Sequence, residues 1–560
     1  MIDTFTHRID LLLWGGRNNY SVDWQIGEVV HLHHQHEDDP EKIKNWAFQS
    51  VSDYGLFWSP QTPLPHESAL NSLIESHLDI AHTGLSEGLG NVWPSLVMIK
   101  QDWSMTNAPS ESPSTSWRMS LSSCLVRRSL ILDLNGIDPG FLSLDSAGLD
   151  FGFRALRTGA IVEHRPELAN QLTADKAPSL PLQDLYTFVL RHYSEGWTKY
   201  LLARRVLANF NIHKELKAFK AAHSACEHNK RQDPKPVNYN AIEGEVYPSK
   251  GNKVSVIIPT LGRYDYISGA LNSLKIQTVQ PYEVIVVDQN PVSQRQPQVY
   301  DSFEDLNLQV IWQDACGQCL ARNTGLAASS GDYVFFFDDD SIAQPDLIEK
   351  HLLAVVSSPY DVSTGVAVPP PPTDYVLPES HQYPRIAQTF DTGNSLLSLD
   401  LAKKLGGLDR NYDFGPGADA DFGTRLYLSG YRILHNPLAV RIHFKAPSGG
   451  LRVHGAHRYN TDAGIFAPFP PVTRSYYGLR FLNPRQRKET TFLSFFLSKF
   501  PQHLRNHPSF DWRMFISFVK FAFSLVFYPI KLHRSLSQAQ RLMKKGPQLV
   551  DFETRKENSS

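Results

Sequence analysis

The sequence predicts an α/β fold whose mostly parallel sheet is present twice, followed by a helical C-terminal tail. Over residues 254–340, short runs of β-branched residues alternate with amphipathic segments, as in sheets whose strands are joined by helices. Polar residues follow these strands, at the sheet edge where open α/β folds bind ligands. Residues 400–439 repeat residues 129–168 at a constant offset of 271, with 12 identities in 40 positions.

The second half of the chain presents its elements in a regular order. VSVIIPT forms the first strand and ends at Thr260, and a helical face follows over residues 264–276. YEVIVVDQN is the second strand, which ends at Asp288, and LQVIWQ is the third. A helix around residues 320–328 leads into DYVFFFDDD, whose strand ends in three carboxylates. These strands predict a buried parallel sheet with a polar carboxyl edge.

The first half of the chain carries the same domain in altered form. SDYGLFWSP aligns with GDYVFFFDD, so the three acids correspond to Ser59, Pro60 and Gln61, and Asp419 corresponds to Gly148. We therefore expect a degenerate first copy. The predicted segments are a degenerate domain at 1–180, a helical segment and linker at 181–250, a catalytic domain at 251–460 and a helical tail at 461–560.

Composition argues against several classes of protein. The 55 Lys and Arg against 57 Asp and Glu give a net charge of -2, which argues against wholesale coating of nucleic acid. Four cysteines in 560 residues fit a reducing compartment rather than a disulfide scaffold. The N-terminal MIDTFTHRIDLLLWGG has acids beside a short apolar run, so we expect no signal peptide. Apolar runs stay below 18 residues, which argues against a multi-span membrane protein.

The segment FFFDDDS predicts a divalent cation site. The adjacent carboxylates of Asp338, Asp339 and Asp340 repel one another, and Mg²⁺ or Mn²⁺ would offset that repulsion. His443, in RIHFK, could complete the set of ligands. The alternative is a solvated acidic loop with a structural histidine.

A second group of residues could hold a diphosphate. Lys445 and Arg452 flank the turn formed by residues 448–450, which contains two glycines. Backbone N–H groups of such a turn and fixed cations both favour phosphate. The alternative is a surface loop.

GPGADADFGTRL places two acids just before a helical pattern. Asp421 has a counterpart in the first copy, Asp150, whereas Asp419 has none. We therefore interpret Asp421 as a structural acid at the start of the helix and Asp419 as the candidate general base. A surface acid is the alternative interpretation of Asp419.

In this order, the segments VSVIIPT, VIVVDQN, LARNTGLAASSGDYVFFFDDD and GADADFGTRLYLSGYRI resemble the family 2 glycosyltransferases with a GT-A fold. The resemblance covers residues 254–445 and implies inverting transfer from a nucleotide-diphosphate sugar with a divalent cation. One departure is Ala418, which replaces the acid that precedes the base in the family. The implied roles are nucleotide-sugar contacts at Pro259, Thr260, Asp288, Arg322, Asp338 and Asp339, metal ligands at Asp340 and His443, a base at Asp419 and an acceptor pocket near Gly393 and Asn394.

The tail predicts contact with a membrane surface. Residues 484–546 hold 12 Lys and Arg against two acids, and residues 514–530 are apolar except for Lys520. This pattern is typical of an interfacial helix drawn to anionic lipid. We expect a cytoplasmic protein, peripheral at the inner face of the cell membrane, that acts on a saccharide or lipid-linked acceptor in surface polysaccharide synthesis. A helix packed on the catalytic domain is the alternative.

Other functions remain open at this point. One is transfer of sugar to a protein or peptide, and another is a non-catalytic carbohydrate-binding scaffold. A nucleotidyltransferase is disfavoured because TLGRYDY lacks a Gly-rich phosphate loop. We do not expect nucleic acid as a partner, because the aromatic residues of the tail form a block apart from its basic residues. The pair Cys316 and Cys319 and the tract HLHHQH are interpreted as incidental.

Overall fold

A computed structural model describes residues 8–14, 24–32, 39–59, 62–84, 93–99, 106–168, 180–230, 236, 252–387, 389–450, 466–499 and 512–552. The chain divides into two compact units, Met1–Tyr239 with Tyr427–Arg432 and Asn240–Leu426 with Ile433–Ser560. The helices of residues 182–228 belong to the first unit, and the C-terminal helices belong to the second. The division into four segments stays a prediction.

The first unit is a seven-stranded sheet flanked by helices, in the order β2-β1-β3-β6-β4-β7-β5. Its first strand, IDLLLW, is buried along its whole length, as expected for a strand covered on both faces. The strands are β1 (Ile9–Trp14), β2 (Ile26–Leu32), β3 (Tyr54–Trp58), β4 (Ile80–His82), β5 (Ser114–Thr115), β6 (Ser123–Arg127) and β7 (Val162–His164). The helices are α1 (Asp39–Gln49), α2 (Glu67–Glu75), α3 (Arg128–Asp133), α4 (Leu144–Thr158), α5 (Leu182–His192), α6 (Glu195–Asn209) and α7 (Ile212–His228).

The second unit is a nine-stranded mixed sheet flanked by helices, in the order β10-β9-β8-β11-β15-β13-β16-β12, with β14 also paired to β16. The strands are β8 (Val254–Thr260), β9 (Glu283–Asp288), β10 (Leu308–Trp312), β11 (Tyr333–Phe337), β12 (Ser341–Ala343), β13 (Val362–Val368), β14 (Arg385–Ile386), β15 (Asn394–Ser398) and β16 (Ile433–His443). The helices are α8 (Tyr264–Lys275), α9 (Gln318–Ala328), α10 (Leu347–Val356), α11 (Leu399–Lys404), α12 (Ala418–Leu428), α13 (Val472–Phe481), α14 (Pro484–Ser498) and α15 (Trp512–Lys545).

The two sheets share one topology. In the first unit, β2, β1 and β3 are parallel, β6 is antiparallel to β3 and β4, β7 is parallel to β4, and β5 is antiparallel to β7. The strands β9, β8, β11, β15, β13, β16 and β14 repeat this pattern in the second unit. The second sheet adds β10 and β12. The predicted duplication is therefore confirmed as an arrangement of strands.

Strand register supports the same alignment. In the first unit Tyr54 pairs with Arg127, and in the second unit Tyr333 pairs with Ser398. The residue numbers differ by 279 on one strand and by 271 on the other, which are the two offsets of the sequence repeat. Equivalent residues of the two units can therefore be compared position by position.

The parallel strands of the second unit bring polar residues to one edge. The strands β8, β9 and β11 are buried, and the side chains of Val256, Val286 and Phe335 form part of one apolar core. Because these strands run in the same direction, the loops that follow them leave the sheet at the same edge. Thr260 pairs with Asp288 at the ends of β8 and β9, and the acid triplet follows β11.

The C-terminal helices pack on one another through aromatic rings. Phe521 of α15 contacts Phe492, Phe495 and Phe496 of α14, with ring centroids 5.1–6.4 Å apart. Tyr528 lies against Phe495 at 4.4 Å. The predicted helical character of this region is confirmed, and one face of α15 is covered by protein.

Candidate active site

A cleft of about 370 Å³ opens at the carboxyl edge of the parallel strands in the second unit. The loops after β8 and β11, the first turns of α9 and α12 and the end of β16 form its walls. The predicted site residues that line it are Pro259, Thr260, Arg322, Asp338, Asp339, Asp340, Asp419, His443 and Lys445. The fold thus assembles most of the side chains that the sequence analysis singled out.

Asp338, the first acid after β11, lies between two arginines. Arg322 on α9 donates to one carboxylate oxygen at 2.9 Å, and Arg441 on β16 donates to the other at 2.7 Å. Burial tends to raise the pKa of Asp338, but the two guanidinium groups outweigh it and hold the pKa well below its ordinary value. Asp338 is therefore an anion at neutral pH.

Asp339 points toward the loop after β8. Its carboxylate accepts hydrogen bonds from Thr260 Oγ1 and from Arg263 Nη1, each at 2.8 Å. Burial raises the pKa of Asp339 to about 6 in spite of this pairing. Arg263 also lies 3.4 Å from Asp340 and donates to the carbonyl oxygen of Ser448 at 3.1 Å. The guanidinium of Arg263 therefore links Asp339 and Asp340 to the glycine turn.

Asp340 and His443 meet because β12 pairs with β16. Ser341, the residue after Asp340, pairs with His443 in the sheet. As a result, His443 Nε2 lies 3.3 Å from Asp340 Oδ1. Burial alone would raise the pKa of Asp340, but the contacts with His443 and Arg263 have the larger effect, so the pKa is lowered. The other oxygen of Asp340 accepts the N–H of Ala446 at 2.9 Å.

These residues fit a divalent cation. One ligand atom from each of Asp338, Asp340 and His443 lies within 4.8 Å of the others. Two carboxylates and an imidazole are ligands that Mn²⁺ and similar cations accept. Asp338 is already bonded to two arginines, yet each carboxylate oxygen has a second lone pair that remains for a cation.

Asp419 lies in the first turn of α12, where it faces the cleft and is accessible from it. The N–H of Thr392 donates to its carboxylate at 3.3 Å. The side chain stays open to the cleft, but nearby protein atoms replace part of its hydration; this desolvation, with the Asp391 carboxylate, raises the pKa of Asp419 to about 6. A carboxylate in this state is an anion above pH 6 and binds a proton readily.

Asp421, two residues further on, has structural contacts instead. It is fully buried and accepts a hydrogen bond from Arg425 Nε at 2.9 Å. The other nitrogens of Arg425 donate to the carbonyl oxygens of Leu405 and Gly407 at 2.6 and 2.7 Å. Arg480 of α13 bonds to the second oxygen of Asp421. We call Asp421, Arg425 and these two carbonyls the aspartate–arginine clamp.

The first unit contains the same clamp. Arg154 donates to Asp150 at 2.8 Å and to the carbonyl oxygens of Leu134 and Gly136 at 2.7 and 2.9 Å. His192 of α5 bonds to the second oxygen of Asp150 at 2.8 Å. The repeated Leu, Gly, Asp and Arg positions in the sequence therefore belong to a structural feature that both copies keep.

The glycine turn lies against the loop after β8. Gly449 has a φ of +75°, and a Cβ there would lie 2.7 Å from the carbonyl oxygen of Leu261. Gly450 donates its N–H to the same carbonyl at 2.8 Å. Lys445 has a φ of +52° and lines the cleft. Arg452, the other predicted diphosphate contact, lies outside the described residues.

Three of the predicted residues are held by the protein itself. Asp288 is buried and accepts hydrogen bonds from Tyr264 and Tyr300 at 2.7 and 2.8 Å. Asn394 is buried and donates to backbone carbonyl oxygens of β13 and β16. A Cβ at Gly393 would lie 2.0 Å from Asp338, so this glycine leaves room for the carboxylate. None of the three lines the cleft in the described residues, and their roles in nucleotide and acceptor binding stay predictions.

Sequence reasoning missed four charged residues of the cleft: Arg263, Asp391, Asp413 and Arg441. Arg441 donates to Asp391 at 3.1 Å as well as to Asp338, so it links the acid triplet to the surroundings of Asp419. A signal existed for Arg441, because it precedes His443 by two residues on a strand and shares its face. Arg263 stands in TLGRYDY, a segment with no Gly-rich phosphate loop, and no sequence pattern marks this arginine.

The first unit fills the place of this cleft with a tryptophan. Register places Trp14 at the position of Pro259 and Leu121 at the position of Thr392. Trp14 is buried, and its indole N–H donates to the carbonyl oxygen of Leu121 at 2.6 Å. This bond crosses the region where the second unit is open.

The position of the candidate base is closed in the same way. Gly148 stands where the second unit has Asp419. A Cβ at Gly148 would lie 3.2 Å from the N atom of Leu121 and 3.3 Å from the carbonyl oxygen of Met119. A carboxylate does not fit there without movement of the backbone, so the first unit has lost the space as well as the acids.

Part of the cleft lies in a segment that a family model matches. A model of the glycosyl transferase family 2 matches residues 255–415. The chain contains a family 2 glycosyl transferase domain. The match covers β8 to the residues just before α12, so the acid triplet is inside it and Asp419 and His443 lie beyond its end.

Curated relatives match the same region. An uncharacterized glycosyltransferase of Bacillus subtilis, YwdF, is 27% identical over 35% of this chain and 76% of its own length. Glycosyltransferase GlyA of Streptococcus pneumoniae is 28% identical over 20% of this chain and 16% of its own. The glucosyl-dolichyl phosphate glucuronosyltransferase of Haloferax volcanii is 34% identical over 24% of this chain and 42% of its own length. The matches to GlyA and to the Haloferax protein thus span less than half of those relatives.

Parts of the chain are also similar to solved structures. TarS of Staphylococcus aureus in complex with UDP is 23% identical over 35% of this chain and 61% of that chain, with a TM-score of 0.29. The mannosyltransferase PcManGT of Pyrobaculum calidifontis in complex with GDP-Man and Mn²⁺ is 16% identical over 52% of this chain and 86% of that chain, with a TM-score of 0.32.

Proposed function

We propose that the second unit transfers a sugar from a nucleotide-diphosphate sugar to a hydroxyl group, with inversion at the anomeric carbon. The observation that supports this most directly is the place of Asp419. It lines the cleft described above and also a second cavity of about 570 Å³, and Asp391 and Gly417 line both. A carboxylate between two cavities is suited to take a proton from an acceptor in one as it attacks a donor in the other.

The cleft suits the donor. The cations Arg263, Arg322 and Lys445 line it and offer charge to a diphosphate. Asp338, Asp340 and His443 would hold a divalent cation, either Mn²⁺ or Mg²⁺, which would stabilise the negative charge of the leaving diphosphate. Pro259 and Thr260 also line the cleft, and we expect them to contact the nucleotide.

The reaction is a single displacement. The acceptor oxygen forms a bond to the anomeric carbon while the bond from that carbon to the β-phosphate oxygen breaks. The hydroxyl proton passes to Asp419, and the bonding electrons leave with the nucleoside diphosphate. Inversion follows because the attack and the departure occur on opposite faces of one carbon, with no protein nucleophile between them.

Donor turnover tests this proposal. Purified protein is incubated with UDP-, GDP-, dTDP- and CMP-sugars and with Mn²⁺, Mg²⁺ or EDTA, and release of the nucleotide is followed. We expect one donor to be hydrolysed slowly with metal and not with EDTA, and Asp340→Ala to abolish the hydrolysis. If every donor stays intact and unbound under all metal conditions, transferase activity is excluded and a carbohydrate-binding scaffold becomes the better hypothesis.

We also propose that α15 lies in a membrane surface, so that the acceptor is a lipid-linked saccharide used in surface polysaccharide synthesis at the inner face of the cell membrane. Within the described ranges, α15 is the one helix long and apolar enough to cross a membrane. One face is covered: Ser517, Lys531 and Ser535 are buried. On the other face Phe523 and Val526 are each 72% exposed.

This two-faced helix favours an interfacial position over a span. An exposed apolar band of this kind commonly marks contact with lipid or protein. The opposite face packs on α14, so lipid could not surround the helix on all sides, as it would around a single membrane-spanning helix. Basic residues within and after the band, such as Lys520, Arg534 and Arg541, would meet anionic headgroups.

Co-sedimentation with anionic vesicles tests the membrane proposal. The double variant Phe523→Glu, Val526→Glu should bind at least ~10-fold more weakly, because burial of each such side chain contributes about 1.5–3 kcal/mol. The matched control, Gln538→Glu with Gln540→Glu, adds the same charge at exposed polar positions of α15 and should retain most of the binding. Equal losses in both variants would point to charge alone and remove the case for apolar insertion.

A further inference from the structure

The three helices that follow β7 in the first unit correspond to those that follow β16 in the second. Arg191 of α5 lies 3.0 Å from Asp138, and Arg480 of α13 lies 2.9 Å from Asp409. Asp138 and Asp409 are equivalent positions of the sequence repeat. The clamp shows the same relation, because α5 and α13 each supply the side chain that bonds to the second oxygen of its aspartate. The duplication therefore extends beyond the sheet into the helices that follow it.

The next two helices keep this correspondence. Ser194 and Asn483, whose numbers differ by 289 as those of Arg191 and Arg480 do, each accept an N–H from the first turn of the helix that they cap. In each unit the third helix packs on the first, α7 on α5 and α15 on α13. The first unit therefore has its own counterpart of α15, the helix proposed above to lie in a membrane surface.

The turn between α6 and α7 exposes apolar side chains. Leu207, Phe210, Ile212 and Leu216 are all exposed, and Phe210 is 85% exposed. They lie at the end of α6 and the start of α7, and we call these four residues the hairpin tip. A group of exposed large apolar side chains commonly marks a contact with lipid or with another protein.

Phe210 has a backbone conformation that the fold alone does not explain. It is the C-terminal cap of α6, with a φ of +53° and a ψ of +21°, in the left-handed region. Glycine or asparagine is usual there, and a bulky residue is an outlier. Since the ring is almost fully exposed, packing within the first unit does not offset the strain. An aromatic ring at this position makes physical sense if something outside the fold covers it.

Exposed lysines follow the hairpin tip along α7. Lys214, Lys217 and Lys220 are exposed. The one acid among residues 207–220 is Glu215, which is buried and accepts a hydrogen bond from Arg205 at 2.9 Å. These residues therefore present apolar side chains beside positive charge, without an exposed acid among them.

We propose that the hairpin tip inserts into an anionic phospholipid surface, with Phe210 among the acyl chains and the lysines of α7 at the headgroups. Aromatic and aliphatic side chains beside lysines are typical of segments that lie in such a surface. Protein interfaces, in contrast, are depleted of lysine. The inference concerns the first unit and depends neither on sugar transfer nor on α15. It gives the copy without a donor cleft a role of its own.

Hydrogen exchange of the full chain locates the contact. Exchange is followed by mass spectrometry with vesicles of equal parts phosphatidylglycerol and phosphatidylcholine, with vesicles of phosphatidylcholine alone, and without vesicles. We expect peptides that cover residues 207–216 to exchange at least ~5-fold more slowly with the anionic vesicles and to show little change with the neutral ones.

A glycine variant separates the hairpin tip from α15 and from stability. Binding is measured by co-sedimentation in the full chain that carries Phe523→Glu and Val526→Glu, which weaken the lipid contact of α15. In this chain Phe210→Gly should reduce the affinity for anionic vesicles at least ~10-fold, because burial of a phenylalanine side chain is lost. The same change should leave the urea midpoint equal or higher, because glycine adopts a φ of +53° without strain.

Two further variants test specificity. Phe48→Ala removes another exposed phenylalanine of the first unit, on α1, and should leave the affinity within about twofold. Lys214→Gln with Lys217→Gln should reduce the affinity at least ~5-fold at 0.1 M salt and less at 0.5 M salt, where screening already weakens the contribution of charge.

The outcomes decide the inference. If anionic vesicles do not slow exchange at the hairpin tip, or if Phe210→Gly binds as tightly as Phe48→Ala, the tip is not a lipid contact and the inference is overturned. Slowing that depends on the protein concentration and not on vesicles would assign the tip to a second copy of the chain, which also overturns it. Failure of the donor screen changes none of these readouts, so it bears on the transferase proposal alone.

Discussion

Replacement of Asp419 by asparagine tests the chemistry of the second unit most directly. The change keeps the size of the side chain and its place in the first turn of α12, and it removes the proton-accepting oxygen. The N–H of Thr392, which contacts Asp419 at 3.3 Å, can still donate to the amide oxygen. We therefore expect an intact fold and a donor cleft that still binds nucleotide.

The size of the effect follows from the role of the residue. A positioned general base contributes about 10²–10⁴ to the rate, so Asp419→Asn should reduce turnover by that factor while the affinity for the donor stays within about threefold. The pH dependence gives a second measure. Desolvation and the Asp391 carboxylate raise the pKa of Asp419 to about 6, so the base is deprotonated above this value.

The sign of the pH effect is fixed by this assignment. Turnover of the unaltered protein should be nearly constant above pH 6 and should fall about tenfold per pH unit below it, as the base takes up a proton. Asp391→Asn removes one cause of the raised pKa, so it should move this fall to lower pH. In Asp419→Asn, the decrease of turnover that protonation of Asp419 causes below pH 6 should be absent.

The assay is release of nucleotide from the donor identified in the screen, measured from pH 4.5 to 8.5 with saturating Mg²⁺. Donor affinity is measured beside it by calorimetry, and the urea midpoint reports the fold. If Asp419→Asn keeps more than about one tenth of the activity, or keeps the same acidic fall, Asp419 is not the base. A loss of donor affinity equal to the loss of rate would assign it to binding instead.

Three other predictions follow from the site and from the first unit. His443→Ala should raise the Mg²⁺ concentration needed for half-maximal activity at least ~10-fold, measured by metal titration after EDTA treatment, because it removes one of three ligand groups. Calorimetry should give one nucleotide site per chain, since Trp14 crosses the equivalent place in the first unit; a second site of similar affinity would contradict this. Arg425→Met should lower the free energy of unfolding of the second unit by about 3–5 kcal/mol in urea, because it leaves the buried Asp421 short of a charged partner. Arg154→Met should do the same to the first unit, and an effect below about 1 kcal/mol in either would refute a shared clamp.

Much of the sheet could be predicted from the sequence because its strands are buried on both faces. Runs such as VIVV and YVFFF have no polar alternation, and the acids after them mark the carboxyl edge. The repeat was visible because Asp421, Arg425 and the Leu and Gly before them make the same backbone contacts in both copies. Identity at those positions reflects a packing requirement.

The ion pairs of the cleft could not be predicted in the same way. Asp338 and Arg441 are 103 residues apart, and their contact depends on the pairing of β12, which follows the acid triplet, with β16. The pairing of Asp339 with Arg263 spans 76 residues and depends on the loop after β8. A sequence gives the charge of each side chain, but it does not show which of several acids a given arginine will meet.

The first turn of α12 separates two functions that lie close together in sequence. The residue that faces the cleft and the residue that closes the clamp are only two positions apart, yet they point to different surroundings. A change at the first position therefore leaves the second undisturbed, and the first unit has Gly148 there while Asp150 keeps its contacts with Arg154. An aspartate introduced at position 148 would still meet the backbone of Leu121, and Trp14 would still cross the same region, so a single substitution would not open a cleft in the first unit.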